Sequence, residues 1–187
     1  MAFLRCSGAE GLSRSDEVLL DSVLEWYNED PLRVESFLAI VKRKNGMSLR
    51  VIDWLVTNYS KTNCVVLETR GVPRDLNRDY QKNLSAYNKR NMDPFARKNK
   101  ILIVVNMVNG KESRNESRNS TVGQLNFFRW FIKNGINSFL QKNKGLVEDH
   151  MKAAESRSKK GPKGCSTRVK NPKYNTNSYS GKFKMVF

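Results

Sequence analysis

Apolar residues at helical spacing dominate the first third of the chain. Over residues 16–26 they recur every three or four positions behind an acidic first turn, which predicts an amphipathic helix. Asp30-Pro31 has the residue types of an N-cap and a first helical position, so a second helix is predicted up to Asn45-Gly46. Ser48 can cap a third helix reaching about Ser60, whose broad apolar face predicts burial at the centre of a domain.

The middle of the chain has the pattern of two strands separated by a helix. Residues 64–67 and 101–108 are short apolar runs typical of strands. Residues 75–89 between them carry apolar side chains on one helical side. We therefore expect the two strands to pair in a small two-stranded sheet, with Cys64 as a buried thiol at its start.

A strongly aromatic helix is predicted from Thr121 to Asn134-Gly135. Thr121 and Gln124 have the spacing of a capping box, and the apolar residues that follow are too many for one face. Two alternatives remain open. Either the helix is buried all round, or Phe128 or Trp130 stays outward and marks a contact with another molecule.

The remaining segments divide the chain into a body and two ends. Residues 136–140 and 146–154 predict one or two short helices, whereas residues 109–119 have no apolar residue and predict a mobile surface loop. Residues 156–187 lack apolar periodicity. We expect a mainly helical α+β fold: an N-terminal extension (1–14), a globular domain (15–155) and an extended basic arm (156–187).

Charge strengthens this division. Of the net charge of +16, residues 156–187 carry nine Lys and Arg and no acidic residue, whereas residues 1–35 carry eight acidic residues against three basic ones. A body with so many cations attracts an acidic partner, whether phosphates or a carboxylate-rich protein surface. Charge alone does not choose between these partners.

The sequence contains few residues in a pattern typical of a catalytic site. His150 is the single histidine and lies in a polar segment, so we expect a solvated side chain. The sequence contains neither of the two common phosphate-binding glycine motifs, GxxxxGK(S/T) and GxGxxG. Asp53, Asp75, Asp79 and Asp93 could gather around a magnesium ion as in nucleases, but their spacing does not distinguish such a site from helix caps and surface pairs. We therefore expect a protein that is not an enzyme and uses no cofactor or metal.

The ends of the chain bear on compartment and redox state. No basic stretch precedes an apolar run at the N-terminus, and the longest apolar run, 101–105, is far below the roughly 20 residues of a membrane helix. We expect a soluble protein without a transmembrane segment. Cys6 and Cys165 are expected to be free thiols, with an intermolecular disulfide as the open alternative.

Basic and aromatic residues are the candidate partner-binding residues. A cluster within residues 70–100 mixes cations with aromatic rings, as phosphate neutralisation with base stacking requires, yet a solvated helix face looks the same. The last 32 residues can span about 100 Å when extended, and their aromatic residues can anchor an arm on a neighbouring protein. The candidates are Arg70, Arg74, Arg78, Lys82, Arg97, Lys98, Phe128, Trp130, Lys159, Lys160, Lys163, Arg168, Lys170, Lys173, Tyr174, Tyr179, Phe183 and Phe187.

Three blocks resemble a small protein shared among nucleocytoplasmic large DNA viruses of the iridovirus-like and algal-virus groups. They are SLRVIDWLVTNYSKTN (48–63), DYQKNLSAYNKRNMDPFARKNKI (79–101) and TVGQLNFFRWFIKNGI (121–136). The acidic N-terminal part and the basic arm lie outside the resemblance. Within it, the role of the loop DPFARK (93–98) does not follow from the residues.

The resemblance implies a minor capsid protein that is not an enzyme. Such a protein lies on the inner face of the virion capsid, bridges capsomers of the major capsid protein and contacts other minor capsid proteins. Assembly would take place in host cytoplasm, and a homodimer is compatible with this role. The alternative is a viral nucleic-acid-binding protein for genome packaging or late transcription, which would use the basic patches.

Overall fold

The computed structural model describes residues 2–8, 11–44, 46–69, 71–109 and 112–159, with the main chain alone for 107–109, 112–114 and 158–159. Within these ranges no helix combines the length and the apolar character that crossing a membrane demands. The elements in chain order are β1 (Ala2–Ser7), α1 (Arg14–Asn28), α2 (Pro31–Val41), α3 (Leu49–Trp54), a π-helical segment (Leu55–Tyr59), α4 (Ser60–Asn63), β2 (Val66–Thr69), β3 (Val72–Asp75), α5 (Leu76–Tyr87), a 3₁₀ turn (Lys89–Asn91), β4 (Lys100–Asn109), β5 (Glu112–Thr121), α6 (Val122–Lys133) and α7 (Ile136–Lys159).

The mainly helical α+β class is confirmed. Most predicted helix starts are found where capping chemistry placed them. The side chains of Asp30, Ser48 and Thr121 accept hydrogen bonds from the first turns of α2, α3 and α6. The helix predicted from Ser48 continues through a wider π-helical turn and ends at Asn63. Of the one or two short helices predicted over 136–154, the structure has one long helix, α7.

The main sheet has three antiparallel strands in the order β1-β4-β5. Two predicted segments are therefore corrected. Residues 2–7, expected within an extension, pair with β4, because alternating Ala2 and Leu4 are buried against the helices. Residues 112–119, expected within a mobile loop, pair with β4 as β5 despite their polar sequence. An edge strand with one solvent-facing side needs few apolar residues.

The strand pairing predicted between residues 64–67 and 101–108 is wrong. Residues 66–69 form β2, which pairs with β3 in a separate two-stranded sheet, and 101–108 lie in β4. Cys64, expected to be buried, is exposed. It terminates α4 in a left-handed conformation (φ 46°) that turns the chain, and the next residue, Val65, enters the core instead.

The two edges of the three-stranded sheet differ. On the β1 edge, the Leu4 N–H donates to Asn28 Oδ1 (2.7 Å) and Asn28 Nδ2 donates to the Leu4 carbonyl (2.9 Å). The main-chain N–H and C=O of Leu4 therefore point away from its β4 partner Val105, so Leu4 and Val105 are not hydrogen-bonded to each other. The N–H and C=O of Val105 point to the other side, toward β5, which makes Val105↔Glu116 a hydrogen-bonded pair. It follows that the main-chain groups of Asn115 and Ser117 point to the outer edge of β5. No strand of the described residues covers that edge.

Helix α6 runs through the centre of the core. Phe127, Phe128 and Phe131 are buried and lie against one another with ring centroids 5.4–6.5 Å apart. From α1, the Tyr27 hydroxyl donates to the Leu125 carbonyl (3.2 Å). The inner face of the sheet supplies Ile101, Ile103 and Val105 to the same core. Helices and sheet thus share one apolar cluster, with α6 at its centre.

Candidate functional site: the cleft at residues 90–99

A cleft of about 330 Å³ opens between α1, the segment that follows α5, and the start of α6. We call it the 90–99 cleft. Its floor and walls come from three distant parts of the sequence, which the fold brings together. The lining residues are Leu12, Asp16, Arg90, Asn91, Asp93, Phe95, Ala96, Arg97, Lys98, Asn99, Thr121, Val122 and Gly123.

A buried carboxylate joins α1 to this segment. Asp16, only 2% exposed, accepts hydrogen bonds from Arg90 Nη2 (2.6 Å) and from Asn91 Nδ2 (2.9 Å). Burial raises the pKa of Asp16. Hydrogen bonds from Asn91, Ser13 and Arg90, together with the charge of Arg90, outweigh burial and hold the pKa below its ordinary value. Asp16 is thus an ionised anchor that fixes one wall of the cleft.

The start of α6 fixes the opposite wall. A Cβ on Gly123 would lie 2.3 Å from the Arg90 carbonyl oxygen, so only glycine allows α6 to approach the 3₁₀ turn this closely. Asn126 Nδ2 donates to the Asn91 carbonyl (2.8 Å), and Gln124 Nε2 donates to the Pro94 carbonyl (3.0 Å). These contacts hold residues 90–94 rigidly against α6.

The rim of the cleft combines an aromatic ring with cations. Phe95 is 40% exposed, and its N–H donates to Asp93 Oδ1 (2.8 Å), which fixes the turn that presents the ring. Arg97 and Lys98 follow on the rim and are exposed. Neither forms an ion pair within 4.0 Å with any residue that the structure describes.

The structure separates the other predicted basic residues from this cleft. Arg78 and Lys82 are exposed on α5, and Arg74 pairs with Asp79 (3.5 Å). Arg70 lies outside the described residues, and only the main chain of Lys159 is described, as the end of α7. The remaining candidates also lie outside the described residues: Lys160, Lys163, Arg168, Lys170, Lys173, Tyr174, Tyr179, Phe183 and Phe187. Residues 156–159, predicted as the start of the extended arm, are instead the end of helix α7, and the arm beyond them stays a prediction.

The two aromatic candidates on α6 are not surface contacts. Phe128 and Trp130 are 2% and 6% exposed, so the prediction of an outward ring is wrong and the alternative in which both rings are buried is right. Trp130 Nε1 donates to Asp79 Oδ2 (2.7 Å), which satisfies the indole at the core boundary. The reason is that neighbouring elements cover the parts of α6 where these two rings lie.

The four aspartates do not gather into one site. Asp75 caps α5 and Asp79 bonds to Trp130, which leaves Asp53 and Asp93 together at a second cleft beside Tyr80. Burial, and then the negative charge of Asp93, raises the pKa of Asp53. Burial and both carboxylates raise the pKa of Tyr80 to about 12. Across the described ranges, no three His, Cys, Asp or Glu side chains are placed to hold a metal ion.

His150 has a structural environment that its sequence context did not indicate. Trp54 Nε1 donates to His150 Nδ1 (3.0 Å), and Thr62 Oγ1 lies 3.3 Å from Nε2. The imidazole is half-buried against the rings of Trp54 and Tyr59, so the expectation of a solvated side chain is wrong. Because an indole N–H only donates, Nδ1 is the acceptor in this hydrogen bond. The side chain ties α7 to α3 and α4.

Asp16→Asn is expected to lower the free energy of unfolding by about 1–3 kcal/mol at neutral pH, because Arg90 and Asn91 lose a charged acceptor. The folded pKa of Asp16 lies below its ordinary value of 3.8, so the ionised group stabilises the fold above that pH. This contribution is lost as pH falls below 3.8 through the folded pKa. Urea unfolding should therefore show a wild-type advantage that is smaller at about pH 3 than at about pH 6.

The control for Asp16→Asn is Asp21→Asn, at an exposed position of the same helix. It should change stability by less than about 0.5 kcal/mol at either pH. A wild-type advantage over Asp16→Asn that stays constant across this pH range would contradict the role of the ionised carboxylate.

Comparison with known proteins places the chain in a family. The family described as "Family of unknown function (DUF7197)" matches residues 7–183. The chain belongs to the DUF7197 family. The match begins at the last residue of β1 and includes all the helices and most of residues 156–187. The family model therefore covers nearly the whole length of this DUF7197 protein.

This DUF7197 protein is also similar to "Uncharacterized protein L507" of Acanthamoeba polyphaga mimivirus. The two are 31% identical over 146 residues, which cover 75% of this chain and 55% of the mimivirus protein. This chain thus spans about half the length of that relative. No solved structure matches this chain. The mimivirus relative confirms the relationship to large DNA viruses that the sequence blocks indicated.

Proposed function

We propose that this DUF7197 protein is a structural component of the particle of a large DNA virus and is not an enzyme. In this role it is a minor capsid protein on the inner face of the shell that ties capsomers of the major capsid protein together. The observation that carries the proposal is the outer edge of β5, which no strand among the described residues covers. That edge offers main-chain donors and acceptors to an extended segment of a neighbouring shell protein.

The outer face of the same sheet carries exposed apolar side chains on β1 and β4. Phe3 and Leu102 are 41% and 40% exposed on the side of the sheet that faces away from the helices. An incoming strand at β5 would extend a surface that already carries apolar side chains. The nine cations of residues 156–187 add contacts outside the sheet, and many weak contacts reinforce one another in a lattice.

Ser117→Pro is expected to weaken docking while the sheet stays folded. The Ser117 N–H points to the open edge, so proline removes a donor that an incoming strand needs and breaks no bond to β4. Losing one main-chain hydrogen bond of about 1.4 kcal/mol and adding a steric block weakens capture at least about tenfold. The measurement is the amount of tagged protein that co-purifies with particles from infected cells.

Ser117→Ala is the matched control, because it changes the side chain and keeps the N–H. It should enter particles like the wild type. Equal incorporation of Ser117→Pro and Ser117→Ala would contradict docking through β5. Sedimentation of the purified protein checks a different occupant of the same edge: a wild-type dimer that Ser117→Pro dissociates would show that a second copy pairs there.

A nucleic-acid-binding role in genome packaging or late transcription is the second candidate. Arg78, Lys82, Arg97 and Lys98 favour it, because all four are exposed and none forms an ion pair within the described part of the chain. Binding to DNA should then weaken steeply with salt, with a logarithmic slope of about −0.9 for each phosphate contacted. Weak binding that salt does not change would exclude this role.

A further inference from the structure

We propose that the 90–99 cleft binds one nucleotide of a single-stranded nucleic acid. The base would lie against Phe95 and the apolar lining, and the phosphate would lie at Arg97 and Lys98. This site deepens the second candidate function, on which it rests, and is independent of the shell role. A protein that docks in the shell can lack this site, and a protein outside the shell can have it.

The size and lining of the cleft select a small planar ligand with a charged group. Its volume of about 330 Å³ lies at the low end of the range for ligand pockets, ~300–1,000 Å³. Leu12, Ala96 and Val122 give it an apolar lining next to the Phe95 ring. Inorganic phosphate gains nothing from these side chains, whereas a base buries its faces against them. A duplex offers no free base face to such a cleft.

Phe95 is held in place before any ligand arrives. Its N–H is bonded to Asp93, and the preceding residue, Pro94, is buried with its carbonyl bonded to Gln124. An exposed ring on a fixed main chain loses little freedom when a base stacks on it. Stacking of a base on an aromatic side chain contributes about 1–3 kcal/mol.

The charges around the cleft leave two cations for a phosphate. Three cations and two carboxylates line it. Asp16 is bonded to Arg90 and Asn91, and Asp93 is bonded to the Phe95 N–H. Arg97 and Lys98 have no carboxylate partner among the residues the structure describes, and they follow Phe95 by two and three positions. The ring and both cations line the same cleft, so one nucleotide bound there could place its base on the ring and its phosphate at the cations.

The test uses the full chain and a fluorescein-labelled decathymidylate, with affinity measured by fluorescence anisotropy over a series of salt concentrations. Phe95→Leu keeps an apolar side chain and removes the ring, and it should weaken binding by about fivefold or more. Arg97→Gln with Lys98→Gln should weaken binding and make the salt slope shallower by about 1.4, the value for two phosphate contacts on a single strand.

The matched control is Arg78→Gln with Lys82→Gln, which removes the same charge from α5, away from the cleft. It should weaken binding less than the Arg97 and Lys98 pair. Thermal unfolding of each variant checks that the fold is retained. Equal losses from the two charge pairs with no loss from Phe95→Leu would overturn the proposal, because they indicate general attraction to cations. Lack of wild-type binding would also overturn it, as would equal competition by a glutamate decapeptide, which indicates an acidic protein partner.

Discussion

Gly123→Ala is expected to destabilise this DUF7197 protein by about 3 kcal/mol, at the upper end of what overpacking usually costs. The new Cβ would lie 2.3 Å from the Arg90 carbonyl oxygen and 3.3 Å from its carbonyl carbon. Both are main-chain atoms, so no side chain can rotate to make room. The 3₁₀ turn or α6 must move, and the hydrogen bond from Asn126 to the Asn91 carbonyl would be strained with them.

Urea unfolding of Gly123→Ala measures this cost, and Gly145→Ala is its control. Gly145 lies within α7 with nothing within 4 Å of its Cβ position, so alanine there should stabilise the protein by about 0.5–1 kcal/mol. The two substitutions are chemically identical and should have opposite signs. A Gly123→Ala variant as stable as the wild type would show that α6 does not pack this closely on the turn.

Phe127→Ala is expected to have the largest effect, a loss of about 3–5 kcal/mol. The ring is fully buried and lies among four others, with centroids 5.4 Å from Phe128, 5.7 Å from Trp130, 6.1 Å from Phe131 and 6.3 Å from Tyr80. Truncation leaves a cavity that these rigid rings cannot fill. The loss is comparable to the stability of many small domains, so partial unfolding at room temperature is expected.

The measurement for Phe127→Ala is the urea midpoint together with the near-ultraviolet circular dichroism of the aromatic cluster. Leu146→Ala is the control, because Leu146 is 61% exposed on α7 and its truncation should cost less than about 0.5 kcal/mol. A loss below about 1 kcal/mol for Phe127→Ala would contradict a core centred on α6.

Local chemistry predicted the helices well, because the signals lie within a few residues. Asp30, Ser48 and Thr121 each have the residue type and position that a first turn requires, and each accepts the expected hydrogen bond. The sheet was harder to predict. Glu116 and Arg118 contradict an apolar strand, and they lie in β5 because Lys42 pairs with Glu116 and Arg118 donates to the Val41 carbonyl (3.4 Å). Those partners lie more than 70 positions away.

Contacts between distant parts of the chain explain the other differences between the sequence prediction and the structure. Helix α6 carries more apolar surface than one face accommodates, and only the packing of distant elements decides that Phe128 and Trp130 are inside. The 90–99 cleft has the same origin. Phe95, Arg97 and Lys98 are adjacent in sequence and visible as a mixed motif, but Asp16 and Gly123, which shape the cleft, join it only in the folded chain.

A density map of purified virus particles tests the central claim most directly, because it shows both the presence of the chain and what lies beside β5. We predict that this DUF7197 protein is found on the inner face of the shell, with an extended segment of another chain paired to Asn115 and Ser117. Particles that lack the protein, in cells where it is produced, would contradict its role as a structural component.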